Sequence, residues 1–403
     1  MAVRVEHIHA VEIIDSLGQP ALEVRVALEG GAAGVAYVPS GRGPLDAMGG
    51  AYGDGRGGAL EAARRELPDQ SFDGLEELDE ALRKLDGTAD ETILELYAIR
   101  GASIAAARAM AAGRHEPLWR FLAAPDTEQR LPVPQFTLVN GGGRADTRLD
   151  FEEFMIVPVG APTMRAALRA GTRIHARLRA VLAESRLATQ VGDDGGFAPQ
   201  IDWPERVLDL IVDTVDECGY ALGTAGVAVA LRVAARGFRH DGRYRMAGEW
   251  LSSDELVARF EQMAADFPVC SIEDAMAPDD WDGWAELTRR LGGRVQLVGG
   301  DLFAAEPEPA AAAAGRGVGN AALILGRFST VTETLEAVRA CRQAGYAQVV
   351  AHHGETSDDF VADLAVAAGC GQLRAGAPLR GERVASYNRL IEIEAEDRVA
   401  YGI

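Results

Sequence analysis

Residues 268–301 read PVCSIEDAMAPDDWDGWAELTRRLGGRVQLVGGD. Two short apolar runs, at 268–274 and 295–301, each close on acidic residues, and an amphipathic segment separates them. A strand, a crossover helix and a second strand in that order imply a parallel sheet. The rhythm extends in both directions through PQFTLVN (134–140), FMIVPV (154–159), AALILG (321–326) and AQVVAHH (347–353). The helices between carry start signals. Ser252 with Glu255 forms a capping box ahead of Leu256, Phe260, Met263 and Phe267 on one face, and Thr330 with Glu333 repeats it before Leu335 and Val338. Six or more such units suit a closed (β/α)8 barrel, the fold class we expect for residues 127–403. An open doubly wound sheet is the alternative, but no GxGxxG or Walker A loop supports it.

The rhythm breaks at Ala124-Pro125-Asp126-Thr127, and residues 1–126 read differently. In ALEVRVAL (21–28), Leu22, Val24, Val26 and Leu28 alternate with polar residues; Glu29-Gly30-Gly31 makes a turn and VAYV (35–38) follows. That is an antiparallel meander. Residues 41–58 hold eight glycines and read as a mobile loop, and the periodicity from 59 to 122 is helical. A small α+β domain is expected.

Composition narrows the function. Apolar residues at 48% suffice for a core, and a formal charge of −21 excludes nucleic acid and anionic membranes as natural partners. The start of the chain is a charged, strand-like alternation rather than a signal peptide, and no 18-residue apolar run exists, so a cytoplasmic location is expected. Cys218, Cys270, Cys341 and Cys370 lie far apart without zinc-ligand spacing and read as buried thiols. Of the 40 basic residues, Lys84 alone is lysine.

Barrel chemistry gathers at the C-terminal ends of strands. Those ends give Asn140 to Arg144, Glu152-Glu153, Gly192 to Gly196 with Asp193 and Asp194, Arg232, Glu273-Asp274, Gly300-Asp301, Leu325-Gly326 and His352-His353. Acids at successive strand ends mean a metal site or paired acid–base groups, unless each merely caps a helix.

These residues resemble the enolase family. EIIDSLGQPALEV (12–24), LDGT (85–88), VNGG (139–142), EEFMIVPVGA (152–161), GDDGGFAP (192–199), SIEDAMAPDDWDGW (271–284), QLVGGDLF (296–303), GETSDD (354–359) and ERVASYNRLI (382–391) follow in the family's order. The resemblance implies an N-terminal α+β capping domain, an enolase-type barrel and a homodimer. It also implies dehydration of 2-phosphoglycerate to phosphoenolpyruvate, in which magnesium ions stabilise the charge that builds up as a base removes a proton beside a carboxylate.

Carried over by position, the resemblance implies a changed site. Of three metal-binding carboxylates Glu273 is retained, the first is Arg232, and the third is Gly300 beside a surviving Asp301. The lid-loop serine that joins a second magnesium is Gly43, and the lysine base falls at Leu325. Glu153 is kept, the glutamate of the acid machinery is Asp194, and a loop histidine is Arg144. His352 is retained, a substrate arginine is His353, and the last active-site lysine is Arg374. The expectation is a degenerate enolase homologue without a cofactor, in which Glu153, Asp194 and His352 are the residual catalytic candidates. Arg144, Arg232, His353 and Arg374 would hold a small anionic ligand, with Arg232 forking onto Glu273. Two alternatives stand beside it: a metal-independent lyase or isomerase using Asp194 or His352, and a true magnesium-dependent phosphopyruvate hydratase.

Overall fold

Burial follows the alternation at 21–28. Strands β1 (Val3–Ile14), β2 (Pro20–Leu28), β3 (Ala33–Pro39) and β4 (Ser71–Phe72) form an antiparallel sheet in the order β3-β2-β1-β4. Leu22, Val24, Val26 and Leu28 are buried while Arg25 faces solvent. Helix Ile93–Gly113 packs on this sheet so closely that a Cβ on Gly34 would stand 2.1 Å from the Ala105 carbonyl oxygen. Glycine is required there by the close approach of two backbones. The helical periodicity beyond residue 59 resolves into helices Ala59–Glu66, Leu75–Asp86, Ile93–Gly113 and Leu118–Leu122, with β4 interposed.

The computed structural model describes residues 2–39, 59–86, 93–304, 309–324, 329–352 and 354–402. They fall into two units. One comprises Met1–Gln129, Leu325–Val338 and His353–Ala368; the other comprises Arg130–Ile324, Arg339–His352 and Gly369–Ile403. The first is pinned internally by Arg108, whose two terminal nitrogens donate to Asp358 at 2.8 and 2.9 Å. The glycine-rich stretch 41–58 lies outside the described residues.

The second unit is a barrel. Its strands are β5 (Val133–Asn140), β6 (Glu153–Val157), β7 (Ala228–Arg232), β11 (Val269–Glu273), β12 (Gln296–Gly299), β13 (Ala321–Ile324), β14 (Ala347–Ala351) and β15 (Gln372–Gly376), closed in the order β11-β12-β13-β14-β15-β5-β6-β7. Strands β8 (Arg239–His240), β9 (Arg243–Met246) and β10 (Glu249–Leu251) make a separate ribbon. Both capping boxes are present. Ser252 and Glu255 bond reciprocally, and the Glu333 amide donates to Thr330 Oγ1 while the Thr330 amide donates to Glu333 Oε2.

The all-parallel expectation needs one correction: β6 runs antiparallel to both β5 and β7. The link from Asn140 to Glu153 contains a single 3-10 turn, Gly142–Arg144, and no α-helix. A parallel connection usually returns through a crossover helix, and this link, having none, returns as a hairpin. The reversal has a consequence for chemistry: β6 begins at the end where its neighbours finish. Asn140 pairs with Glu153, Glu153 with Arg232, and Arg232 with Glu273 across four adjacent strands. No helix among the described residues is long and apolar enough to cross a membrane.

Candidate functional site

That register places two acids, Glu153 and Glu273, and one base, Arg232, together at one rim, and Arg374 of β15 joins them. Glu153 is fully buried and accepts a hydrogen bond from Thr137 Oγ1 at 2.6 Å and another from Arg374 Nη1 at 2.8 Å. The other arm of Arg374 reaches Glu273 Oε1 at 3.2 Å. Arg232 Nε lies 2.9 Å from that same oxygen, and its Nη1 lies 2.5 Å from Glu152 Oε2 and 3.4 Å from Glu153 Oε1. Arg232 therefore does touch Glu273, but it spreads over three carboxylates instead of forking onto one. A planar guanidinium makes such a junction with donors on separate nitrogens, here Nε and Nη1, whereas an ammonium would have to gather all three acids around one atom.

The Gly192–Gly196 loop supplies the next layer. Asn140, at the end of β5, accepts from the Gly196 amide at 2.9 Å through Oδ1 and donates from Nδ2 to Asp194 Oδ2 at 3.3 Å. Gly196 must be small, because a Cβ there would stand 2.9 Å from Thr137 Cγ2. Asp194 is thereby aimed at Arg144 Nε, 3.7 Å away, and at Arg383 Nη2, 3.5 Å away. Arg144 Nε also lies 3.2 Å from Glu152 Oε2. Glu152, Glu153, Glu273 and Asp194 thus interlock with Arg144, Arg232, Arg374 and Arg383. Over these eight side chains, the charges cancel.

The field of this cluster acts on its members. Burial opposes the charge of Arg232, but Glu273, Glu152 and Glu153 outweigh it and hold the guanidinium above its ordinary pKa. Burial would also raise Asp194, yet Arg144, Arg383, Arg374 and Arg232 more than offset it and keep that carboxyl below the usual range. Asp274 goes the other way. Burial first, then the neighbouring Glu273 and Asp301, push it up to about 7. A carboxylate held ionised by four guanidiniums is a weak base, so Asp194 is better suited to charge balance than to proton abstraction.

The expected residues divide clearly. Glu153, Asp194, Arg144, Arg232, Arg374 and Glu273 all belong to the network. His352 is buried just past β14, and its amide donates to the Arg374 carbonyl at 2.9 Å. Asp301 stands one step away, its amide donating to Asp274 Oδ1 at 3.0 Å. His353, Leu325 and Gly43 lie outside the described residues. Arg383 escaped the sequence reading, and Glu152 was read only as a strand-end acid without a role of its own. Among the described residues, no group of three or more His, Cys, Asp or Glu side chains is arranged to hold a metal ion.

Comparison with known proteins gives a consistent picture. The enolase C-terminal TIM barrel domain family matches residues 128–401, and the enolase N-terminal domain family matches residues 5–122. A protein of Acidothermus cellulolyticus named enolase is 44% identical over 98% of this chain and 95% of its own length. Another protein named enolase, from Beutenbergia cavernae, is 42% identical over 97% of this chain and 95% of its own.

Proposed function

The chain belongs to the enolase family, and we propose that it has lost most or all magnesium-dependent dehydration of 2-phosphoglycerate and instead binds a small anionic ligand at the charged rim of its barrel. One observation carries the reading: Glu273 Oε1 is shared by two guanidiniums, Arg232 Nε at 2.9 Å and Arg374 Nη2 at 3.2 Å. Magnesium asks for near-octahedral oxygen ligands, usually including carboxylates. The residues present do not suit it, since the retained carboxylate already faces two fixed cations. No step is therefore routed through the metal. The missing base points the same way. The one lysine, Lys84, is an exposed side chain of the other unit, paired with Glu80 at 2.7 Å.

Two further features support binding over a redirected lyase. The rim is rich in arginine, the residue that best matches carboxylate and phosphate. Asp194 is a poor base. The family also implies a homodimer, which we adopt as the assembly, and the cytoplasm as the location. With a charge of −21, nucleic acid and anionic membranes stay outside the proposed partners. The name shared by the relatives favours the competing reading, an active phosphopyruvate hydratase. Phosphoenolpyruvate formation from 2-phosphoglycerate, assayed with and without magnesium, decides between them. Little or no turnover is expected in either condition. Magnesium-dependent turnover at an ordinary enolase rate, abolished by Glu273→Gln, would overturn the proposal.

A further inference from the structure

We infer that the Glu152 carboxylate is a built-in occupant of an oxyanion site walled by Arg144 and Arg232, and that a small carboxylate ligand binds by taking its place. The inference rests on the anion-binding reading above and deepens it. Both guanidiniums converge on one atom, Glu152 Oε2, with Arg232 Nη1 at 2.5 Å and Arg144 Nε at 3.2 Å. The other acids of the network are locked in place. The side chains of Glu153, Glu273 and Asp194 are 0, 3 and 7% exposed, against 20% for Glu152. A buried carboxylate cannot leave its cation without stranding both charges, whereas a partly solvated one can rotate into water.

The surroundings of Glu152 suit such an exchange. Its backbone is tied down, because its amide donates to the Arg232 carbonyl at 3.0 Å and its carbonyl accepts from the Gly141 amide at 2.9 Å. The side chain can therefore swing without moving the hairpin. Gly142 and Gly143 flank it, and a Cβ on Gly142 would lie only 3.1 Å from Glu152 Cγ. Two residues without side chains therefore leave the Glu152 side chain uncrowded on that flank. Charge names the ligand class. The eight network groups balance with Glu152 in place, so its withdrawal leaves one uncompensated positive charge between Arg144 and Arg232. A singly charged carboxylate restores the balance and repeats the chemistry of the group it displaces, whereas a dianion would exceed it.

Titration calorimetry on the full-length protein tests this, with glycolate as the carboxylate probe and inorganic phosphate as a separate arm. Glu152→Gln keeps the size of the side chain and removes its competing charge. Glycolate should bind this variant at least about 10-fold more tightly than wild type, equivalent to about 1.4 kcal/mol. Glu152→Asp, which keeps the charge but shortens its reach, should fall between them, and it carries the test if Glu152→Gln does not fold. Equal glycolate affinity in wild type and the two variants would overturn the displacement and leave the anion-binding reading intact. A gain confined to phosphate would overturn the ligand class. Absence of binding by either probe to any of the three proteins would overturn this inference together with the anion-binding reading.

Discussion

Two layers of the same barrel interior, two residues apart along the strands, bury polar groups in opposite ways. In the lower layer, Gln135 donates to Gln372 Oε1 at 2.7 Å and Gln372 donates to Gln296 Oε1 at 2.6 Å, a chain of neutral amides. In the upper layer, Thr137 and Arg374 occupy the next same-face positions of β5 and β15, and the groups around them are ionised. A neutral amide needs only its hydrogen bonds to be tolerated inside. An ion also loses several kcal/mol of solvation, which its partners roughly repay, so a buried ion pair is weak support for a fold. The lower layer thus looks like structure. The upper layer is an expensive way to stabilise a barrel, and the proposed anion site would give it a use.

Breaking the upper layer on one side should produce the largest effect. Arg374→Met removes one of the two guanidiniums that Glu153 and Glu273 share, leaving Arg232, and should lower unfolding free energy by about 3–5 kcal/mol in urea titrations. Pairing it with Glu153→Gln should recover part of that loss, because one stranded charge is then removed. A small effect of the single change would mean that the upper layer is no more costly to break than the lower one.

The contrast should also appear in pH dependence. Asp274 sits beside the upper layer with its pKa raised from 3.8 to about 7. A carboxyl raised on folding keeps a proton that the unfolded chain releases. Its contribution to stability is full below the unfolded value and falls away as pH climbs through the folded one. The slope between about pH 4 and 7 should reach at most about 1.4 kcal/mol per pH unit. Asp274→Asn should flatten this slope in denaturant titrations across that range while retaining an oxygen for the Gly300 and Asp301 amides, which now donate to Asp274 Oδ1 at 2.8 and 3.0 Å. The smallest effect belongs to the lower layer. Gln135→Leu removes one neutral donor and should cost about 1–2 kcal/mol, with no pH dependence over the same interval.

Much of this architecture was legible in the sequence. The six apolar runs are strands, the two capping boxes start their helices, and the alternation at 21–28 buries one face. Direction was not legible, because an apolar run reads the same whichever way it points. The reversal of β6 became visible only from the hairpin that precedes it. Strand β15 was hard to read as an apolar run because it carries Gln372 and Arg374, which face a polar lumen. The site was legible in its types and not in its wiring. Glu153, Asp194, Arg144, Arg232, Arg374 and Glu273 do meet. Glu152 was named as a strand-end acid but given no role, because strand alternation would send neighbours to opposite faces; it precedes the strand and turns to the same rim. Arg383 sits in helix Gly381–Asp397, where nothing in the spacing separates it from a surface arginine.

The central claim is that guanidiniums hold Glu273 where a divalent ion would need it. Manganese, which shares magnesium's preference for carboxylate oxygen, reports this directly through the electron paramagnetic resonance signal of the free ion. On mixing equal concentrations of protein and Mn2+, the signal should stay close to that of the ion in buffer, and Glu273→Gln should not change it. Loss of the free-ion signal in wild type, restored by Glu273→Gln, would contradict the account.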